Sequence, residues 1–131
     1  MRRRRIGEPR CGVVPLIHDE GMNRVFDATS APLRFSDLPA DKCPDGVLAT
    51  GVDMLGTTEA LEVGVWEHPV GTSTDVETDE VFVVLSGAGR VLLADGRVLE
   101  LRPGTVGVLT AGTPTTWEID ETLRKVWVVA R

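Results

Sequence analysis

From Glu59 onward the chain is a succession of short apolar segments separated by glycine- and proline-bearing turns. Ala60–His68 reads as a first strand, stopped by Pro69 and Gly71. Glu77–Ser86 reads as a second, with Gly87-Ala88-Gly89 as its turn. Arg90–Ala94 and Arg97–Leu101 flank Asp95-Gly96, a pair that predicts a type I′ hairpin because glycine tolerates the positive φ of that turn. Pro103-Gly104 and Ala111-Gly112 bound a strand over Thr105–Thr110, Thr115–Ile119 follows, and Leu123–Ala130 closes the chain. Short strands at this spacing predict an all-β sandwich or barrel. Alternation places Glu80, Phe82, Val84 and Ser86 on one face and Val81, Val83 and Leu85 on the other. Both faces are largely apolar, so this strand is expected to be covered on both sides.

Residues before about 57 are irregular, punctuated by Pro9, Pro15, Pro32, Pro39 and Pro44. Short extended pieces are expected around Val13–Ile17, Leu33–Phe35 and Val47–Met54, and helical turns near Asp19–Asn23 or Leu38–Lys42. Residues 1–12 form a basic tail expected to be disordered, and 13–131 one domain, with its core barrel at about 59–131. The length of 131 residues suits one domain, and 42% apolar residues can fill its core.

Charge and composition remove several function classes. Five Arg and one Glu occupy residues 1–10, leaving nine basic and nineteen acidic residues in the rest. An acidic body repels nucleic-acid phosphate, so no nucleic-acid partner is expected. No apolar run reaches the ~18 residues of a membrane helix. The four Arg at positions 2–5 are followed by Ile6-Gly7-Glu8-Pro9-Arg10 rather than by the apolar run of a secretory signal, so a cytoplasmic location is expected. Cys11 and Cys43 form no CxxC, and no disulfide is expected between them. Gly87-Ala88-Gly89 joins two predicted strands, which excludes a dinucleotide fingerprint. No G-x-S-x-G occurs.

The stretch Gly71–Ile119 resembles the two motifs of the cupin family. Glu80, six residues and Gly87 match the second half of the first motif. Gly104, five residues, Thr110 in the proline place and Gly112 match the core of the second. Trp66 before Pro69 and Gly71, the Thr116-Trp117-Glu118 segment and the closing Arg124-Lys125-Val126-Trp127 are similar to the branch containing ureidoglycine aminohydrolases and ethanolamine-utilisation cupins. The resemblance spans roughly residues 59–131 and implies a double-stranded β-helix, or jelly-roll, barrel with an irregular N-terminal extension.

The family's metal is held by three His and one Glu. Here the H-x-H places fall on Thr74 and Val76, or on Ser73 and Asp75, and the third His place on Thr115. Only Glu80 survives, so neither a metal nor another cofactor is expected. The acidic cluster Asp75, Glu77, Asp79 and Glu80 is a poor substitute, because Glu77 and Glu80 face opposite sides of a regular strand. Buried alone, Glu80 would need a cation partner or a raised pKa, and Lys125 and Arg124 are the candidates. Trp66, Trp117 and Trp127 lie on three predicted strands and, with Phe82, Thr115 and Lys125, are candidate ligand-binding residues. Glu80 and His68 are the candidate catalytic groups. Three functions follow as alternatives: a metal-independent small-molecule-binding cupin, an enzyme acting on a small nitrogenous or carbonyl metabolite with Glu80 as acid/base, or a structural cupin. A homodimer is expected in each case.

Overall fold

The computed structural model describes residues 23–131. Eight strands, all paired antiparallel, account for most of them: β1 (Arg34–Asp37), β2 (Ala49–Thr57), β3 (Leu61–His68), β4 (Gly71–Val76), β5 (Glu80–Leu93), β6 (Val98–Leu101), β7 (Val106–Leu109) and β8 (Pro114–Ala130). The one helical turn among the described residues is a 3-10 turn over Ala40–Lys42, inside the segment expected to hold one. The extended pieces expected near Leu33–Phe35 and Val47–Met54 are β1 and β2. The basic tail, the Val13–Ile17 piece and all but Asn23 of the Asp19–Asn23 turn lie outside the described residues.

Two long strands organise the sheet. β5 and β8 pair from Glu80↔Val129 to Leu93↔Thr115, with register shifts between Val84 and Gly89. Those shifts bend the pair, so its halves serve different layers. One layer runs β1-β2-β3-β8-β5-β7, using residues 123–130 of β8 and 80–84 of β5. The other runs β4-β8-β5-β6, using residues 114–119 and 89–93. Phe82, Val84, Leu109 and Leu123 from the first layer pack against Val91, Leu101, Trp117 and Ile119 from the second. Each such side chain contributes on the order of 1.5–3 kcal/mol by leaving water.

The glycine triplet predicted as a turn lies instead within β5. Gly87 has φ +94°, and a Cβ there would fall on the Thr122 carbonyl oxygen of β8. The glycine therefore permits close approach at the bend rather than a chain reversal. The strands predicted at Thr115–Ile119 and Leu123–Ala130 merge into β8 for the same reason, since Glu121 pairs with Ala88 across the bend. β4 itself was not predicted: Gly71 begins a strand where its proline-glycine context suggested only a stop.

The Asp95-Gly96 hairpin forms, but not as a type I′ turn. Asp95 has negative φ, Gly96 has φ +93°, and the Gly96 N–H donates to the Leu93 carbonyl at 3.0 Å while Leu93 N–H donates to Arg97. The loop is thus three residues long with glycine at its left-handed position. Asp95 Oδ1 accepts from Arg97 N–H at 3.0 Å, which supplies locally what the second positive φ would have done.

The expected faces of β5 hold only in part. Phe82 and Val84 point inward and are almost fully buried. The outer face is only partly covered: Val81 is 44% exposed, while Val83 and Leu85 are half-buried. Ser86, past the first register shift, is exposed rather than inward.

Candidate functional site

Alternation along β8 directs Lys125, Trp127 and Val129 to the interior, and Arg124 to the opposite side. Lys125 lies opposite Trp66 of β3 and Val84 of β5. Its side chain runs along the inner face of the layer these strands share, and its Nζ donates to Glu80 Oε2 at 2.6 Å. Side-chain exposures are 6% for Lys125 and 13% for Glu80, so the lysine is buried and its partner mostly so. The ammonium also sits 4.5 Å from the Trp117 ring centre and 4.6 Å from those of Trp66 and Phe82. Burial pulls Lys125 below the ordinary lysine range, opposed by the neighbouring Glu80 charge and hydrogen bond.

Trp66, Trp117 and Trp127, the chain's three tryptophans, line one cavity of about 320 Å³ together with Glu80 and Lys125. Trp66 meets Trp117 edge-on with ring centres 5.3 Å apart, and Phe82 backs Trp117 at 5.7 Å. Phe82 does not itself line the cavity. Its ring lies over Gly107, its cross-strand partner on β7, where any Cβ would fall on the ring. Thr115 is buried and its hydroxyl donates to Glu77 at 2.6 Å, so it holds a wall residue rather than forming the wall.

His68 is fully buried and lies behind Trp66, edge-on at 5.3 Å. Its Nδ1 is 2.6 Å from the Pro69 carbonyl, which can only accept, so Nδ1 carries the proton. Its Nε2, 2.9 Å from Ser73 Oγ, then accepts from that hydroxyl. Burial, with the Lys125 charge adding to it, lowers the His68 pKa against the contribution of the Pro69 bond. The imidazole is neutral, both nitrogens are engaged and it does not face the cavity. This geometry runs against the general-base role expected for it: the ring braces β3 against β4.

Arg124 is not Glu80's partner. It reaches outward to Glu67 at 3.2 Å and donates to the carbonyls of Ala28, Thr29 and Ala31. Glu77 is the larger surprise. The expectation that it faces away from Glu80 assumed a regular strand through both residues. Residues 77–79 are instead a linker between β4 and β5, pinned to the Ala111–Thr113 turn by Glu77 N–H to Thr113, Gly112 N–H to Glu77 and Ala111 N–H to Asp79 Oδ1. Freed from strand alternation, Glu77 turns inward and lines the same cavity as Glu80. Its Oε2 accepts from Thr115 and, at 3.0 Å, from Trp117 Nε1. The turn residues Thr78-Asp79 were the available sign that the strand did not extend to Glu77.

The donor set does not fit the family's metal. Of the places filled by histidine in metal cupins, Ser73 bonds His68, Thr115 bonds Glu77, and the alternatives Thr74, Val76 and Asp75 bring no imidazole. The Glu80 carboxylate is held by an ammonium, which is a cation and not a ligand. Among the described residues no group of three or more His, Cys, Asp or Glu converges.

A bent, two-layered antiparallel barrel with a cavity between its layers is the architecture of a cupin-type jelly roll. The EutQ-like cupin domain matches residues 55–127, and the chain belongs to that family. No curated protein matches it. Among solved structures, the Clostridium difficile EutQ protein is similar over 63% of this chain and 68% of its own, at 20% identity and TM-score 0.58. A putative ethanolamine utilisation protein from Salmonella typhimurium is similar over 76% and 94%, at 16% identity and TM-score 0.57. Ectoine synthase from P. lautus shares the fold over 70% and 66%, at 16% identity and TM-score 0.55. No helix among the described residues is long and apolar enough to cross a membrane.

Proposed function

We propose that this cupin binds a small molecule in the tryptophan-lined cavity without a metal ion. The observation that carries this reading is the position of Lys125. Its ammonium neutralises Glu80 and fills the space between three aromatic rings, so the site holds a built-in cation beside the family's surviving carboxylate. The remaining cavity of about 320 Å³ is of the size that takes small ligands. Trp66, Trp117 and Trp127 give it rigid apolar walls, while Phe82 and Thr115 support them from behind. Tryptophan fluorescence titrated with ureides, amino acids, sugars and short carboxylates tests the reading, because every tryptophan lines the cavity. A flat response to the whole panel defeats it. Stoichiometric Mn, Fe, Ni or Zn in the purified protein defeats its metal-free part.

One feature favours a second reading, an enzyme acting on a small nitrogenous or carbonyl metabolite. Glu80 and Lys125 form a hydrogen-bonded acid/base couple at the cavity wall, with the lysine held below its ordinary range. On this reading Glu80→Gln abolishes turnover of a discovered substrate, and full turnover in that variant removes Glu80 from the chemistry.

A homodimer accompanies either reading. Val81 pairs with Val108 and Val83 with Val106 on the outer face of β5 and β7, with Val106 62% and Val108 68% exposed. A second copy laid on this face would cover it. Light scattering reports the outcome: a monomer at all concentrations excludes the dimer.

A further inference from the structure

The cavity wall carries four carboxylates, Glu62, Asp75, Glu77 and Glu80, and two ammonium groups, Lys42 and Lys125. Most of these charges are matched. Lys42 bonds Asp75 at 2.9 Å, Lys125 bonds Glu80 at 2.6 Å, and Arg131 approaches Glu62 at 4.0 Å. Glu77 is the exception: among the described residues it forms no ion pair. The Lys42 and Lys125 charges act on it at a distance, but each ammonium is bound to another carboxylate.

Glu77 is also the most constrained of the four. It is 8% exposed, and its backbone is fixed in both directions to the 112–113 turn. Its Oε2 receives two neutral donors, Thr115 Oγ1 and Trp117 Nε1. No donor among the described residues reaches its other oxygen, Oε1. A buried carboxylate with one oxygen left without a donor is costly, and a cation with hydrogen-bond donors relieves that cost. An inorganic transition metal does not answer the need, because among the described residues no second and third ligand of the right kind converge with it. An organic ammonium group does, since it supplies charge and N–H donors together. The aromatic wall suits the same chemistry. Lys125 already places an ammonium over Trp66 and Trp117, while no cation among the described residues lies over Trp127.

We propose that Glu77 is the docking carboxylate of the cavity and that the ligand it holds is a small organic amine in its ammonium form. The proposal rests on the small-molecule reading above and names the ligand's charge. Three probes of equal length, n-butylammonium, n-butyrate and n-butanol, are titrated at constant ionic strength and followed by tryptophan fluorescence and thermal shift. Butylammonium is expected to bind saturably and at least about tenfold more tightly than the other two, the scale of one charge-assisted hydrogen bond. Glu77→Gln, which keeps an acceptor for Thr115 and Trp117, is expected to lose that preference. The comparison within the unaltered protein stands even if the variant does not fold. Equal or tighter binding of butyrate or butanol, no response to butylammonium, or an unchanged preference in a folded Glu77→Gln protein overturns the proposal. Binding of butyrate, butanol or a member of the broader panel without butylammonium leaves the small-molecule reading intact; silence from every compound removes both.

Discussion

Lys125 reaches along the inner face of its layer to place its Nζ 2.6 Å from Glu80 Oε2, in a space enclosed by Trp66, Phe82 and Trp117. Coulomb attraction, hydrogen bonding and three ring faces together offset the desolvation of two charges. The two residues therefore behave as one unit.

Their substitutions should be strongly non-additive. Lys125→Met leaves Glu80 a buried unpaired carboxylate and is expected to lower stability by about 3–5 kcal/mol. Adding Glu80→Gln should recover a large part of that loss, because the uncompensated charge goes with it. Urea unfolding of the two single variants and the double variant measures the coupling. Simple additivity would show that the pair is not coupled in solution.

Acid should weaken the fold through His68. The unfolded chain protonates this residue near its ordinary value of 6.5, whereas burial holds the folded imidazole neutral to lower pH. Within that window the unfolded state binds the extra proton. Its contribution is fully present above 6.5 and is lost as pH falls through the folded value, with a slope of at most about 1.4 kcal/mol per pH unit. Urea unfolding between pH 7.5 and 5 should show this slope, and His68→Gln should flatten it. An unchanged slope in the variant would assign the effect to other groups.

The ring of Phe82 lies over Gly107 with no room for a methyl group. Gly107→Ala should displace the ring from its place beside Lys125 and Trp117 and cost about 1–3 kcal/mol, typical of overpacking. Thermal unfolding gives the loss, and near-ultraviolet circular dichroism reports the altered Trp117 environment. A variant as stable as the parent, with the same spectrum, would mean that β7 shifts freely.

Arg124 ties residues 28–31 to the barrel through three carbonyls while bonding Glu67. Arg124→Ala should accelerate amide exchange around Ala28–Ala31, with a stability loss of about 1–3 kcal/mol. Arg124→Lys should not restore protection, because one ammonium cannot replace the guanidinium fork at four acceptors. Exchange rates unchanged by Arg124→Ala would show that the segment is held by other contacts.

Several features of the site could be read directly from residue order. Glu80 with Gly87, the Gly104 and Gly112 turns, and the Lys125-Val126-Trp127 alternation are local patterns, and short-range stereochemistry decides them. Period two places Lys125 and Trp127 on one side and Arg124 on the other once their strand exists. The absence of histidine at the ligand places is also a property of sequence alone.

What only the tertiary structure decided is where alternation stops. Gly87-Ala88-Gly89 has the composition of a turn, yet β5 continues through it because the Thr122 carbonyl of β8 presses against Gly87. Glu77 reads as a strand residue facing away from Glu80. It faces inward because the 77–79 linker is bonded to a turn more than thirty residues further along the chain. Lys125 becomes Glu80's partner because β5 and β8 are neighbours in one layer with both side chains on its inner face, and the bend in the two strands folds the second layer over them, bringing Trp117 onto the pair. The residues standing at the family's metal-ligand places were legible from the beginning. The ammonium beside Glu80, and the inward-facing Glu77 that forms no ion pair among the described residues, are products of long-range packing, which local pattern does not encode.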